Sequence, residues 1–204
     1  MYDLAAAPVP TTPAIVPASL RVTLAYGQDL VSAEFSGLRP LPSAPTVYSA
    51  FHWTAAPDQV PTLAVAPVFL GVGEGGCLFV DLALAPSVIT VTGRQRVREE
   101  LGAELANRLG AAIRDGARRF AVVVAGRPFH PDLLVVDPIL VERLDDFDPA
   151  RLADHVDVCF VVCALTAPAD AQAIHRLSTP RPGRRIVPIL VDEVVAADWS
   201  LFAR

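Results

Sequence analysis

Gly93 stands directly after the apolar run Val88-Ile89-Thr90-Val91-Thr92 and is followed by Arg94, Gln95 and Arg96. A strand that turns through glycine into a helix presents the helix's first amides, and its positive dipole end, to whatever sits at the turn. Gly93, Arg94 and Arg96 therefore form a candidate site for an anion or a nucleotide. A working phosphate loop reads G-x-x-x-x-G-K-[ST], and the second glycine, the lysine and the magnesium-binding hydroxyl are all missing from this stretch. Asp137 ends the apolar run Leu133–Val136, where a carboxylate could hold magnesium, and Asp192 ends Ile189–Val191 in the same way. Gly93, Arg94, Arg96 and Asp137 together read as the vestige of a nucleotide site. We expect no catalytic residue, no resident metal and no cofactor.

Other chemistries find less support. All 17 basic residues are arginine, which removes Schiff bases and every reaction that needs a lysine amine. Cys159 and Cys163 lie four residues apart in an apolar run. In a strand that is roughly 13 Å on one face, too far for a shared metal or a disulfide, so core thiols are expected. His130-x-Asp132 and His155-x-Asp157 lack further metal ligands nearby and suit capping or the surface. Cys163 or Thr166 could pair with His155 or His175 as nucleophile and base, but no glycine-flanked elbow presents either.

The elements that would position these residues follow from periodicity. The stretch Val88–Thr92 predicts a strand, and Thr92 with Gln95 fits a capping box that starts a helix near Gly93. Val97, Leu101, Leu105, Leu109 and Ile113 make one apolar stripe, Gly102 and Gly110 allow close approach to a sheet, and Asp115-Gly116 stops the helix. Arg96, Arg98, Glu99, Glu100, Glu104 and Arg108 should face water. Phe120–Ala125, Leu133–Val136, Val158–Leu165 and Ile186–Val191 read as buried strands. Ile139–Leu144, Ala150–His155 and Pro168–Leu177 read as helices, the second started by Asp148-Pro149. Strands alternating with helices predict a mostly parallel sheet with helices on both faces. Upstream, Leu20–Phe35 predicts a β-hairpin turning at Gly27-Gln28-Asp29. A second hairpin joins Thr62–Val72 to Cys77–Leu84 through Gly73-Glu74-Gly75-Gly76. Tyr48, Phe51, His52 and Trp53 are expected to pack on the main sheet.

The expected organisation is a Pro/Ala-rich tail or linker over residues 1–19, a hairpin and irregular region over 20–59, and an α/β domain over 60–204. Hydrophobic residues make up 52% of the chain and net charge is −5. No polybasic tract invites nucleic acid. No run reaches the ~20 apolar residues of a membrane span, and no signal segment is apparent, so a cytoplasmic place is expected. An apolar surplus without a span points to a partner surface, with a protein partner or a homo-oligomer as the expectation.

Leu70-Gly71 through Leu84, the segment Asp81-Leu82-Ala83, and Ala85-Pro86-Ser87 into Val88–Gly93 resemble the approach to the phosphate loop in FtsK/SpoIIIE-type ATPases. The resemblance is nearest to degenerate copies of that domain in actinobacterial type VII secretion ATPases, and covers residues 60–204. It implies a RecA-like, P-loop-like fold, with Leu133–Asp137 as the magnesium-binding strand, Val158–Leu165 as the sensor strand and Arg185–Val191 as the next. It also implies a domain without hydrolysis that serves as a docking surface, regulator or scaffold in a secretion, conjugation or regulatory assembly. The alternatives are a nucleotide- or small-anion-binding domain or enzyme using the helix start at Gly93, and a structural subunit of a larger particle.

Overall fold

Phe120–Ala125 and Val158–Cys163 bury all of their residues, as strands covered on both faces must. They lie side by side near one end of a sheet, covered on both faces by layers that the rest of the chain supplies. The structure, a computed structural model, describes residues 14–25, 30–41, 51–59, 65–73, 76–114, 120–166, 168–179, 183–192 and 197–203. Tyr48, the Gly27-Gln28-Asp29 turn, the helix stop at Asp115-Gly116 and the side chains of Phe51, His52 and Trp53 lie outside that description.

In chain order the elements are β1 (Ala14–Ala25), β2 (Leu30–Leu41), β3 (Phe51–Thr54), β4 (Pro67–Gly73), β5 (Gly76–Asp81), β6 (Ile89–Gly93) and α1 (Gln95–Arg114). Then come β7 (Phe120–Ala125), β8 (Ile139–Val141), β9 (Val158–Cys163), α2 (Pro168–Ser178), β10 (Arg185–Val191) and β11 (Trp199–Ala203). All strands join one sheet of order β3-β5-β4-β2-β1-β11-β6-β10-β9-β7-β8. From β1 to β8 every neighbouring pair is parallel, so the chain is α/β with a mostly parallel sheet. The remainder is antiparallel, apart from the single parallel contact Leu30↔Val72 between β2 and β4.

Side chains of β7 alternate between two cores. Val122 and Val124 face α1, whose Leu101, Leu105 and Leu109 are each at most 4% exposed. Ala121, Val123 and Ala125 face α2 with its Ala173, Ile174 and Leu177. The two helices thus lie on opposite faces. Burying each of the α1 leucines contributes about 1.5–3 kcal/mol.

β4 and β5 also share the α1 core through Val68, Leu70, Leu78 and Val80. This second layer explains why α1 is not the singly amphipathic helix expected. Glu99, Glu100 and Glu104 are half-buried. Arg108, expected in water, donates to the Phe69 carbonyl and lies 5.7 Å from the centre of the Phe69 ring.

Several expected boundaries move for identifiable reasons. Leu133–Val136 is not a strand: Pro131–Leu133 makes a 3₁₀ turn and 134–138 is irregular. Asn107 of α1 takes up its main chain, donating to Leu133 O at 2.8 Å and accepting from the Val135 N–H at 2.9 Å. The strand instead forms at Ile139–Val141, where a helix was expected. Ala150–His155 is not a helix beyond a 3₁₀ turn at Pro149–Arg151, capped by Asp148 Oδ1 accepting from the Ala150 N–H at 2.9 Å. There Arg184 donates to the carbonyls of Pro149, Leu152, Ala153 and Val156 at 2.6 to 3.3 Å and so holds the segment in its irregular path. β1 begins at Ala14, inside the expected tail, and carries Pro17 opposite Leu38 of β2. The unexpected β11 joins that hairpin to β6, and β3 crosses the expected boundary at residue 60 by pairing with β5.

The Asp81 carboxylate, fully buried, ends β5 and caps the turn that leads to β6. It accepts from the N–H groups of Val65 at 2.8 Å, Ala66 at 2.9 Å and Ala83 at 3.0 Å. Asp81→Ala leaves those amides without this acceptor and should destabilise the chain by about 3–5 kcal/mol. Asp81→Asn, which keeps one acceptor oxygen, should cost less. Urea unfolding at constant slope checks both, and an unchanged midpoint for Asp81→Ala would refute the anchor.

Candidate functional site

At the carboxyl end of β6 the backbone of Gly93 has φ +128, and a Cβ built there would lie 2.0 Å from the Ala203 carbonyl oxygen. Gly93 and Ala203 are register partners of β6 and β11. The glycine is required by the main chain of β11, which lies against the turn. The Arg98 N–H donates to Arg94 O at 2.9 Å and so closes the first turn of α1. Gln95 Nε2 donates forward to Glu99 Oε1 at 3.0 Å rather than back towards Thr92.

The arginines at the helix start divide their work. Arg96 is exposed and bonds Glu100 at 2.9 Å; that hydrogen bond first, and the Glu100 charge second, raise the Arg96 pKa above its usual value. Arg98 is half-buried and reaches back to the Gly93 carbonyl at 3.4 Å. Arg94 is exposed. The first turn of α1 holds no acidic residue, so the helix start is electropositive.

The structure does not bring Asp137 to this turn. Val136 packs against Gly110, where a Cβ would stand 2.7 Å from Val136 Cγ2. Gly110 is fifteen residues beyond Gln95, about 22 Å along the helix at 1.5 Å per residue. Asp137 precedes β8 and so lies towards the amino end of the parallel sheet, away from the carboxyl-end crevice where such sheets hold ligands. The acid placed beside β6 is Asp192: its N–H donates to Val91 O at 3.1 Å, and Oδ2 accepts from the Leu165 N–H at 3.4 Å. At Gly102 α1 packs closely on β10, since a Cβ there would meet Val191 Cγ2 at 2.6 Å and Phe129 Cδ1 at 3.3 Å.

The nucleophile candidates hold structural posts. The Thr166 N–H and hydroxyl both donate to Asp170 Oδ2, at 2.8 and 2.9 Å, ahead of α2. Cys159 and Cys163 are fully buried on the α2 face of β9, as core thiols. Burial pushes both thiols from 9.0 up to about 12; Arg184 draws Cys159 back slightly, and the Asp170 charge adds to the rise at Cys163. Neither is a thiolate at neutral pH. His130 Nδ1 accepts from the Asp132 N–H at 3.4 Å, a cap, and His155 and His175 are exposed. Among the described residues no group of three or more His, Cys, Asp or Glu converges as a metal site.

The surface that sequence reasoning missed lies at the other side of the sheet. A cavity of about 490 Å³ opens at the carboxyl ends of β7 and β8, lined by Val124, Phe129, Leu134 and Leu140 with Arg127 and Arg143 at its polar side. Beside it Ile139 is 47%, Leu140 65% and Val135 77% exposed. The signal for it was Pro138, which bars a continued run and marks an edge strand.

Gly93→Ala should lower stability by about 3 kcal/mol, from backbone strain and the clash with Ala203; a ligand-only glycine would leave the unfolding midpoint unmoved. The thiols give a pH test. The unfolded chain releases these protons near 9.0 and the native chain near 12, so between those values the native state binds more protons. Their contribution is complete below the lower value and lost as pH rises towards the upper one, by at most about 1.4 kcal/mol per pH unit for each thiol. Urea midpoints measured across this range should fall, and fall less in Cys159→Ala; equal slopes would refute the assignment.

Comparison with protein families, with curated proteins and with solved structures finds no match to this chain.

Proposed function

We propose that the chain is a non-catalytic, ATPase-like α/β domain that works by protein contact, as an interaction or scaffold module of a cytoplasmic secretion, conjugation or regulatory assembly. The observation that carries this reading is the apolar edge at β8, where Ile139 and Leu140 stand exposed beside Val135 and the cavity under Leu140. Monomeric surfaces rarely gather such side chains, and an edge strand adds unpaired main-chain groups. The packing of β11 against the Gly93 turn and the close packing of α1 at Gly102 on Val191 and Phe129 support the non-catalytic half. Among the described residues no helix is long and apolar enough to cross a membrane.

The electropositive start of α1, with Arg94 and Arg96 exposed and no acid in the first turn, favours a second reading as an anion- or nucleotide-binding domain. Calorimetric titration with ATP and GTP, with and without magnesium, separates the two. The first reading expects no saturable binding and hydrolysis at background, unchanged in Asp137→Ala and Asp192→Ala. Turnover abolished by either substitution would overturn it.

A further inference from the structure

The Gly126 N–H donates to Val141 O at 2.9 Å, and the β7–β8 register pairs Val123 with Ile139, Val124 with Leu140 and Ala125 with Val141. In a parallel ladder alternate residues of a strand turn their main chain to the same neighbour. Ile139 and Val141 thus face β7, and the N–H and C=O of Leu140 face outward. Among the described residues β8 pairs with β7 alone. The outward groups are flanked by exposed apolar side chains, Ile139 and Leu140.

From this edge we infer a second copy of the chain as the occupant, paired antiparallel through β8 about a two-fold axis at Leu140. The proposal rests on the interaction-module reading and names its partner. About that axis the sequence is self-complementary. Leu140 meets Leu140 of the second copy in a hydrogen-bonded pair, each N–H donating to the other's carbonyl. Ile139 meets Val141, apolar on apolar, on both sides of the axis. Asp137 meets Arg143, opposite charges, and does so twice. Asp137 and Arg143 are both exposed; Arg143, also 4.0 Å from Asp145, is extended at φ −134, ψ 149, so the strand direction continues past β8 at that end. Pro138, which lacks an N–H, falls opposite Glu142 and offers only its carbonyl there. A slip by one residue would set Leu140 against another partner and break both ion pairs, so the ends fix the register.

Size-exclusion chromatography with light scattering on the full chain, over a range of concentrations, tests this. The wild type should run at twice the chain mass. Leu140→Lys, Asp137→Arg and Arg143→Asp should each run at the single-chain mass, with far-ultraviolet dichroism and urea midpoint retained because all three positions are exposed. An equimolar mixture of Asp137→Arg and Arg143→Asp should regain the double mass, since each like-charge pair becomes an opposite-charge pair across the axis. A wild type at single-chain mass throughout, a dimer indifferent to these variants, or charge-swapped chains that fail to combine would overturn the proposal. Nucleotide turnover by the same samples would instead sink the non-catalytic reading, and leaves the mass result standing on its own.

Discussion

The close approach of β11 to β6 is the constraint on which the rest of the molecule depends. β11 lies between the hairpin strand β1 and β6 and is parallel to both, so among the described strands it is the seam between the N-terminal strands and the α/β half. Its last register pair brings the Ala203 carbonyl to within 2.0 Å of where a Cβ on Gly93 would lie. The chain must therefore turn from strand to helix in a conformation open to glycine, under a neighbour's main chain. The turn that precedes α1 is thereby held against the main chain of β11.

Polar side chains do most of their work against the backbone. Asp81 holds three amides, Asn107 holds both a carbonyl and an amide of the 133–135 segment, and Arg184 gathers four carbonyls of the 149–156 loop. Arg108 and Arg185 reach the carbonyls of Phe69 and Ala85. Each fastens an irregular segment whose main-chain groups would otherwise need water. The lysine-free composition fits this use. A guanidinium presents five donors in a rigid fork and can serve several carbonyls at once, which a compact ammonium on a flexible stem does less well.

What could be read in advance divides along the same line. β6, α1, β7, β9, α2 and β10 were legible because continuous apolar runs and a 3.6-residue stripe report burial directly. Leu133–Val136 misled because its apolarity matches that of a strand, while the cause of its irregularity, Asn107, sits 26 residues upstream. Ala150–His155 carries a proper start at Asp148-Pro149, yet Arg184, just ahead of β10, binds carbonyls in and around it. β11 did leave a trace: Trp199, Leu201 and Ala203 are buried in alternation with Ser200 and Phe202, the period of a half-covered strand. At the candidate site the Gly93 turn was located correctly in sequence. Whether Asp137 or Asp192 stands beside it depends on strand order, and no local pattern encodes that.

Sheet order also determines where the molecule can meet others. An open sheet has two ends, and here the β8 end is three residues long, opened by a proline and closed by Glu142 and Arg143. Those are the marks of an edge guarded against indiscriminate pairing. A short, charged edge does not lose the ability to pair; in the pairing we propose it would lose tolerance for wrong registers, because a slip would cost both the Leu140 hydrogen bonds and the terminal ion pairs. The exposed Leu140 at its centre runs against the guard, since a charge or a second proline there would shut the edge entirely. Guarded ends around an apolar middle would suit the selective pairing we propose, and Asp137 stands at that edge rather than at the turn at Gly93.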